Sequence, residues 1–505
     1  MRKILTSLAA LCCLTLQAQQ PMSLDVNQIR KLMMTESAIT NLYVEDVDEN
    51  KIVEAAIRAM LKELDPHSTY NDAAEVKRLT EPLQGNFEGI GVQFNMAADT
   101  LIVIQTVSGG PSQKVGILAG DRIVSVDHDP IAGVKMSRDS IMQRLRGPKG
   151  TRVELGVVRR GVKDQLTFIV TRDVIPVHTL EASFMVEPKV GYIRLGSFGA
   201  TTHDELVEAL RTLLAEGMES LVLDLEGNGG GYLQAAVEVA SEFLNEGDLI
   251  VYTEGRRSPR RDFHAVGKPL FAKGRMAVIV DEYSASAAEI VTGALQAHGR
   301  AVIVGRRTFG KGLVQQPVNL PDGSMVRLTV AHYYTPTGQC VQKPYGEGAD
   351  DYSLDLQRRY KRGEMMCADS IPTDLGGIIP DRFVAADTVK YTRYHRELVA
   401  KGAVNQAVMA LMDQHRREWE RQYKTVDDFC RRFTVTDDML ATLQQKADEV
   451  KVKRDDALYD ASLPLIRTQL KALIARDLWD MSAYFRIINE TNDAIPAAIE
   501  AVRGN

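Results

Sequence analysis

Residues 281–290 constrain the fold more than any other stretch of the chain. They follow an apolar run, Met276–Val280, and lead into a helical pattern, which predicts a strand, a tight turn and a helix. Two serines, Ser284 and Ser286, lie at the junction. A serine at a helix N-terminus either caps the helix or, beside backbone N–H donors, acts as an exposed nucleophile. Caps are far commoner, so a nucleophile requires a base elsewhere in the chain.

The bulk composition is that of a globular protein without a strong electrostatic preference. The chain has 505 residues, of which 45% are hydrophobic and 25% are charged. This length suggests roughly three or four domains. Because the net charge is only -6, the sequence offers no electrostatic reason to bind nucleic acid or an anionic membrane. We therefore expect neither partner.

The N-terminus has the pattern of a secretory signal peptide. Met1–Lys3 is basic, Ile4–Leu16 is apolar and too short to span a bilayer, and Ala18 ends a small-residue site. We predict a signal peptide over residues 1–18. No later apolar run is long enough to span a membrane, so we expect an exported protein, soluble after cleavage, in the periplasm or cell envelope.

The histidine and cysteine patterns give no metal site. None of the nine histidines forms the two-histidine helical pattern of a zinc protease. Beyond the signal peptide the cysteines are Cys340, Cys367 and Cys430, and their spacing matches no zinc motif. At most one disulfide can form, for example between Cys340 and Cys367, and free thiols are the alternative. We expect no metal and no cofactor.

Four segments follow the signal peptide. They are an N-terminal helical segment (23–84), a β-rich domain (85–173), an α/β domain (174–387) and a helical C-terminal extension (388–505). Asp48 or Asn50 can cap a helix in the first segment, which ends at Asp65-Pro66 because proline stops a helix. Strands alternate with helices in the third segment, which indicates a mixed sheet. The extension carries no catalytic signal; it is a docking, dimerisation or adaptor arm, or a helical cap on the core.

The β-rich domain looks like a PDZ domain. Its strands and helices come in the matching order, and closely spaced glycines open its first strand. In that arrangement Gly89, Ile90, Gly91 and Val92 would present backbone N–H groups to the carboxylate of a peptide C-terminus, and the strand after them would pair with the peptide. The alternative is a small packing module with no ligand.

Lys311 is the best candidate for the missing base. A lysine acts as a base only when its ammonium is destabilised, and burial among Phe309, Leu313 and Val314 would do that. Gln315 could position the amine by a hydrogen bond without favouring its protonated form. A phosphate-binding loop is disfavoured, since Gly312 stands where Ser or Thr would hold magnesium. A surface lysine in a turn is the plain alternative, and His298 fits a helix C-terminus better than a triad.

Taken in order, these motifs resemble the carboxyl-terminal processing (tail-specific) serine proteases. The resemblance covers about residues 35–385. The matching pieces are Asp65-Pro-His-Ser68, Arg146-Gly-Pro-Lys-Gly-Thr151, Asp224-Leu-Glu-Gly-Asn-Gly-Gly-Gly231, Ser284-Ala-Ser-Ala-Ala-Glu289, Gly305–Gln315, Tyr334-Thr-Pro-Thr-Gly338 and Gly377-Ile-Ile-Pro-Asp381.

The resemblance implies an α/β multidomain protein with a ClpP/crotonase-like core and an inserted PDZ-like domain. It implies a serine–lysine mechanism, in which Ser286 is the nucleophile, Lys311 is the general base and Gln315 assists the lysine. The backbone N–H groups of Ala287 and Gly230 would then form the oxyanion hole. Ser284 would keep a structural role.

Two residues depart from the family pattern in the glycine turn. The family usually has arginine and proline where this chain has Glu226 and Gly229. Glycine makes the turn more flexible than proline would, so we expect the oxyanion hole to be less preformed, or to need substrate to order it.

We therefore expect an exported serine endopeptidase that cleaves protein substrates near their C-termini. Its PDZ-like domain would bind the substrate C-terminus and could also gate the active site. The first alternative is a catalytically silent PDZ scaffold. An acyl-CoA-handling crotonase relative is disfavoured by the PDZ-like domain and the predicted export.

Overall fold

The computed structural model describes residues 25–97, 99–107, 109–346 and 352–503, in two units. The first unit ends at Leu64 and the second begins at Asp65. In the first unit, Asp25 and Asp48 cap two helices, Val26–Leu42 and Glu49–Lys62, by accepting a hydrogen bond from a backbone N–H. The cap at Asp48 confirms one of the two predicted starts. The predicted signal peptide, residues 1–18, lies outside the described residues.

The second unit contains the α/β core, the β-rich domain and the C-terminal helices. Its α-helices are Ala73–Thr80, Pro111–Lys114, Arg138–Leu145, Thr202–Ala215, Leu233–Ser241, Ala287–Ala297, Asp355–Lys361, Arg393–Ala400, Ala403–Gln422, Val426–Arg432, Asp437–Glu449, Asp456–Leu478, Met481–Ile488 and Ala494–Arg503. Short 3-10 helices span Ala368–Ser370 and Asn489–Thr491.

A six-stranded mixed sheet, called here the main sheet, forms the centre of the core. Its strands, in spatial order, are Leu180–Glu187, Val190–Leu195, Ser220–Asp224, Arg275–Val280, Val302–Gly305 and Arg382–Phe383. The first pair is antiparallel and the remaining pairs are parallel. This confirms the α/β class and the mixed sheet.

Side chains alternate between the two faces of the main sheet, and each face is covered by helices. Leu223 and Val278 point to the face packed by the helices Thr202–Ala215, Leu233–Ser241 and Ala287–Ala297. Val222 and Ala277 belong to the other face, which the last helix covers with Ile495, Ala498, Ile499 and Val502. Both faces are therefore buried, as parallel strands require.

The main sheet brings three sequence motifs to one edge. Ser220–Asp224 leads into the glycine turn, Arg275–Val280 into the serine turn, and Val302–Gly305 into the lysine loop. These three strands are neighbours and run parallel. The carboxyl ends of parallel strands meet at one edge, where open α/β sheets bind ligands.

A second sheet contains a β-hairpin. Its strands are Thr69–Asn71, Met325–Tyr334, Leu249–Gly255 and Ser258–His264, with Leu313–Asn319 also paired to Met325–Tyr334. The sequence predicts a hairpin here, with Pro321-Asp322-Gly323 as the turn between Val314–Leu320 and Met325–Tyr334, and the structure confirms it. Leu180–Glu187, Ser258–His264 and Arg382–Phe383 of the core were not predicted as strands. The predicted N-terminal helical segment, residues 23–84, is wrong in part, because Thr69–Asn71 is a strand that pairs with Met325–Tyr334.

The β-rich domain is inserted through a two-stranded stem, in which Asn86–Gly89 pairs antiparallel with Asp173–Pro176. Beyond the stem its strands follow the order Val92–Ala97, Thr100–Thr106, Arg122–Val126, Arg152–Val158 and Leu166–Thr171, with the short strand Asp129–Pro130 beside the third. The sequence predicts a short helix over residues 111–118, and the structure has a single turn there, Pro111–Lys114. Val92–Ala97 is an edge strand of this sheet.

The C-terminal extension packs against the rest of its unit. Its helices share one apolar cluster that contains Trp419, Phe429 and Trp479. Met409 packs on Ile102 and Ile104 of the β-rich domain. These contacts, and the last helix on the main sheet, favour the predicted helical cap over a docking arm.

Within the described residues, no helix is long and apolar enough to cross a membrane. Cys340, Cys367 and Cys430 are free thiols, so the disulfide between Cys340 and Cys367 is not formed.

Candidate active site

Ser286 lies at the junction of strand and helix in a strained backbone conformation. Its φ is 57° and its ψ is -114°, and the helix Ala287–Ala297 begins at the next residue. Positive φ is uncommon for a residue with a side chain, and such strain is concentrated at functional sites. The strained backbone of the half-buried Ser286 therefore favours a nucleophile over an ordinary helix cap.

Ser284 is fully buried and tied to the neighbouring strands. Its hydroxyl donates to the carbonyl of Leu225 at 2.8 Å and accepts from the N–H of Asp281 at 2.9 Å. These bonds connect the serine turn to the start of the glycine turn. They support a structural role for the first serine.

Glu289, one turn into the helix, is fully buried and connects the serine turn to the lysine loop. Its Oε2 accepts the backbone N–H groups of Ser286 and Lys311, both at 2.8 Å. Its Oε1 accepts the N–H of Gly310 at 2.7 Å and the hydroxyl of Thr308 at 2.5 Å. Burial raises the pKa of this carboxyl, against four hydrogen bonds that favour the ionised form. One side chain thus fixes the backbones of both candidate catalytic residues.

Tyr333 contacts the backbone of the same two residues, Ser286 and Lys311, at their carbonyl oxygens rather than at their N–H groups. Its buried hydroxyl lies 3.1 Å from the carbonyl oxygen of Ser286 and also contacts the carbonyl oxygen of Lys311. The tyrosine comes from the strand Met325–Tyr334, so the second sheet takes part in locating the site.

The glycine turn packs directly against Ser286. A Cβ at Gly230 would lie 2.7 Å from the Cβ of Ser286 and 2.9 Å from the nitrogen of Ala287, and its φ is 95°. Only glycine fits there. The N–H of Gly230 donates to Oδ1 of Asn228 at 2.9 Å, so an oxyanion would have to compete with that side chain. Ala287 is the first residue of its helix, and its N–H therefore has no acceptor within the helix.

Lys311 is half-buried, and its pKa is lowered to about 8. Desolvation is the main cause, and the nearby Arg327 cation lowers the pKa further, whereas Glu289 and Asp65 raise it. A sizeable fraction of this lysine is therefore neutral near pH 8. Among the described residues, no hydrogen bond joins its amine to the hydroxyl of Ser286.

Gln315 contacts an arginine rather than the lysine. Its Oε1 accepts from the guanidinium of Arg327 at 2.8 Å, and its Nε2 is buried with no partner among the described residues. Arg327 is half-buried, and no carboxylate in the described part of the chain lies within ion-pair distance of it. Its charge is therefore not neutralised locally by an ion pair.

His67 is a further titratable group near the lysine. Burial and the charge of Lys311 lower its pKa to about 4, so it is neutral at physiological pH. Its Nε2 lies 2.8 Å from the hydroxyl of Tyr352. Asp65 accepts from the N–H and hydroxyl of Ser68 and from the hydroxyl of Thr329, which fixes this segment to the second sheet.

Glu226 occupies the position where the family usually has arginine. Its carboxyl accepts from Nδ2 of Asn492 at 2.5 Å. Burial, together with the charges of Asp224 and Asp281, raises its pKa to about 8, although Arg306 opposes the shift. Gly229, the second departure, is exposed, and a Cβ there would meet nothing within 4 Å.

The predicted peptide site of the β-rich domain lies on a turn and an edge strand. Ile90 is buried, and its carbonyl accepts from the N–H of Ser112 at 3.1 Å. Gly91 has a φ of 72°, and Val92 begins the edge strand Val92–Ala97. Together with Gly89 at the end of the stem, these residues form the opening of a strand that can accept a further strand.

Sequence reasoning missed several residues that define the site. Glu289 was visible as the fourth position of a Ser-x-x-Glu capping-box pattern, but the pattern does not reveal that its carboxyl also reaches the lysine loop. Arg327 and Tyr333 had no local signal, because their contacts arise only when distant strands pair. Asn228 was part of the quoted glycine motif, without an indication that its side chain accepts from the N–H of Gly230. His67 was part of a recognised motif, without an indication that it lies near Lys311.

Comparison with known proteins agrees with this architecture. Residues 189–350 match peptidase family S41, and residues 89–170 match the PDZ domain. Residues 12–75 match the N-terminal domain of the activating protease CtpB. Residues 394–480, in the C-terminal extension, match a family of unknown function.

Full-length relatives decide the family. The carboxy-terminal-processing protease of Bartonella bacilliformis is 38% identical over 305 residues, which cover 59% of this chain and 69% of that protein. The chain belongs to the carboxy-terminal processing protease family. The family member CtpA of Bacillus subtilis is 33% identical over 356 residues, covering 68% of this chain and 75% of that protein.

Among solved structures, the photosystem II D1 C-terminal processing protease is 26% identical to this chain. The match covers 72% of this chain and 95% of the other, with a TM-score of 0.38. The S41 and PDZ matches confirm the predicted family and the presence of a serine protease core with a PDZ domain.

Replacing Glu289 by glutamine tests its bridging role. The amide has only one acceptor oxygen, so two of the four donors would lose their acceptor in a buried site. We expect Glu289→Gln to lower the free energy of unfolding by about 3 kcal/mol in a denaturant titration. The exposed Glu208→Gln, on the helix Thr202–Ala215, should stay within about 0.5 kcal/mol of the wild type. Equal effects of the two substitutions would contradict the bridging role.

Proposed function

We propose that this chain is an exported serine endopeptidase that cleaves protein substrates near their C-termini, with Ser286 as nucleophile and Lys311 as general base. The observation that carries the proposal is the Glu289 carboxylate, which binds the backbones of Ser286 and Lys311 at the same oxygen. The membership of the carboxy-terminal processing protease family supports the reaction class. The proposed mechanism requires no metal or cofactor.

In the proposed acylation step, neutral Lys311 accepts the proton of the Ser286 hydroxyl as Oγ attacks the scissile carbonyl carbon. The tetrahedral intermediate then collapses, the C–N bond breaks, and the lysine ammonium returns its proton to the leaving amine. Water hydrolyses the acyl-enzyme in the second half, again with Lys311 as base. A lysine pKa near 8 suits both directions of proton transfer near neutral pH.

The oxyanion formed in each half-reaction would be stabilised by the N–H groups of Ala287 and Gly230. The Gly230 N–H donates to Asn228, and Ser286 and Lys311 share no hydrogen bond, so substrate binding has to complete the site. Gln315 would donate a hydrogen bond to the lysine amine from its buried Nε2, since its Oε1 already accepts from Arg327. An N–H donor stabilises a neutral amine and not an ammonium.

The PDZ domain would supply specificity. We propose that Gly89, Ile90, Gly91 and Val92 bind the carboxylate of the substrate C-terminus and that the edge strand Val92–Ala97 pairs with the residues before it. Binding there would raise the local concentration of the chain to be cut, and it could also gate activity. We propose export to the periplasm or cell envelope on the basis of the predicted signal peptide.

Substitution of the dyad gives the first test. We expect Ser286→Ala and Lys311→Ala each to lower casein or tagged-peptide cleavage by at least about 1,000-fold, because a missing nucleophile or base removes the covalent route. Cleavage products would be measured by mass spectrometry, which also locates the cut relative to the C-terminus.

Lys268→Ala, a lysine substitution outside the site, is the control and should retain wild-type activity. Full activity in Ser286→Ala or Lys311→Ala would rule out the dyad. If the wild type cleaves nothing, even with a hydrophobic C-terminal peptide added, the silent PDZ scaffold becomes the better explanation.

The pH dependence tests the electrostatic role of Arg327. Lys311 is active when deprotonated, so kcat/KM should rise with pH up to about 8 in the wild type. Arg327→Met removes a cation that lowers this pKa, and the rising limb should therefore move to higher pH, with about a tenfold loss at pH 7 for a shift of one pKa unit. Arg327→Lys keeps the charge and should leave the rising limb of the kcat/KM profile at the wild-type pH. A uniform loss at every pH in Arg327→Met would indicate a purely structural role.

The peptide's free carboxylate is the group that the PDZ proposal depends on. Using Ser286→Ala to prevent cleavage, fluorescence anisotropy should detect binding of a peptide with a hydrophobic free C-terminus. The same peptide with a C-terminal amide should bind at least about tenfold more weakly, since it loses charge-assisted hydrogen bonds. Equal affinities would exclude carboxylate recognition by residues 89–92.

A further inference from the structure

The glycine turn offers few side chains by which it can be held. Four of its six residues from 226 to 231 are glycines, and only Glu226 and Asn228 carry side chains. Asn228 is anchored inside the core, where its Nδ2 donates to the carbonyl of Leu195 at 2.8 Å. Glycines impose little conformational restriction of their own, so the position of the turn depends strongly on these two anchors.

The C-terminal extension provides the anchor for Glu226. Nδ2 of Asn492, just after the short helix Asn489–Thr491, donates to Oε2 of Glu226 at 2.5 Å. The N–H of the next turn residue, Gly227, donates to Asp281 at 2.9 Å, which connects this end of the turn to the serine turn.

A second contact from the extension reaches the backbone of the same residue. The Arg194 guanidinium lies 4.7 Å from the ring centroid of Phe485 in the helix Met481–Ile488. That guanidinium donates to the carbonyl of Glu226 at 2.7 Å and to the carboxylate of Asp224 at 2.6 Å. Phe485 therefore supports the arginine that fixes the backbone of Glu226, while Asn492 fixes its side chain.

We propose that the C-terminal extension is a positioning element for the oxyanion turn, acting on Glu226 through Asn492 and through Phe485 and Arg194. This inference rests on the proposed protease function. It gives Phe485 and Asn492 a role in transition-state stabilisation, although neither would touch the substrate. Gly230, at the far end of the turn, packs on Ser286, so a displaced turn moves its N–H relative to the reacting carbonyl.

The surroundings of Glu226 give this link a pH dependence. Asp224, Asp281, Asp387 and Asp493 are the acidic groups around Glu226, and Arg194 and Arg306 are the cations. Tyr391 lines the same cavity as Glu226. With its pKa raised to about 8, Glu226 is neutral over most of the physiological range. Above that pH it becomes a further anion beside Asp224 and Asp281, and the repulsion should displace the turn.

Four variants in the full chain test the proposal by steady-state kinetics on a cleavable peptide. Asn492→Ala and Glu226→Ala should each lower kcat by about tenfold with KM nearly unchanged, less than the loss expected for removing an oxyanion donor. The kcat of the double variant should be no lower than that of either single variant, because both substitutions remove the same hydrogen bond between Asn492 and Glu226. Glu226→Gln keeps an acceptor for Asn492 and should recover most of the loss.

The pH profile separates positioning from a general loss of stability. The wild-type kcat should decline above about pH 8, and Glu226→Gln should lack this decline because it cannot ionise. Glu490→Ala, an exposed neighbour of Asn492, is the matched control and should behave as the wild type in both measurements. All assays are made at least 15 °C below each variant's own Tm, so that unfolding does not contribute.

The outcomes are distinguishable from failure of the proposed function. If the wild type shows no Ser286-dependent cleavage, the protease proposal fails. If the wild type is active and Asn492→Ala retains its kcat, the positioning role is overturned. It is equally overturned if the losses in the double variant add, if Glu490→Ala loses as much activity, or if Glu226→Gln keeps the alkaline decline.

Discussion

The buried carboxylate of Glu289 is the interaction on which the candidate active site depends. A carboxylate without exposure to solvent is stable only when its oxygens are fully hydrogen-bonded, and here three backbone N–H groups and one hydroxyl meet that need. Two of those N–H groups belong to Ser286 and Lys311. The cost of burying the charge is thus offset by bonds that define the distance between two loops. The strained φ of Ser286 persists because this network holds it.

The main sheet explains why these loops meet at all. Three neighbouring parallel strands end at the same edge, and each is followed at once by one functional motif. No long-range signal in the sequence is needed for this arrangement, since parallel strand order alone brings the motifs together. The second sheet adds Tyr333 and Arg327 from a hairpin strand, and the C-terminal extension adds Asn492 from beyond both sheets. The site is therefore assembled from three layers of the fold.

Sequence reasoning reached the fold class, the inserted PDZ domain and the serine–lysine motifs, because each depends on local patterns and on motif order. The strand before Asp281 and the helix after Ser286 follow from hydrophobic periodicity, and the structure has both. The partners of Gly230 and Gln315 could not be obtained that way. Asn228 and Arg327 satisfy those groups through side-chain geometry, which has no periodic signature. The strand at Thr69–Asn71 was missed for a similar reason, since it is a strand only because Met325–Tyr334 offers an edge.

The last helix, Ala494–Arg503, has a consequence for the order of events in the life of the chain. It covers part of one face of the main sheet, and two of the residues it packs on, Val222 and Ala277, precede Ala494 by about 270 and about 220 residues. During synthesis that face stays exposed until the final helix has left the ribosome. The packing of this face can therefore be completed only after residues 494–502 have been added to the chain.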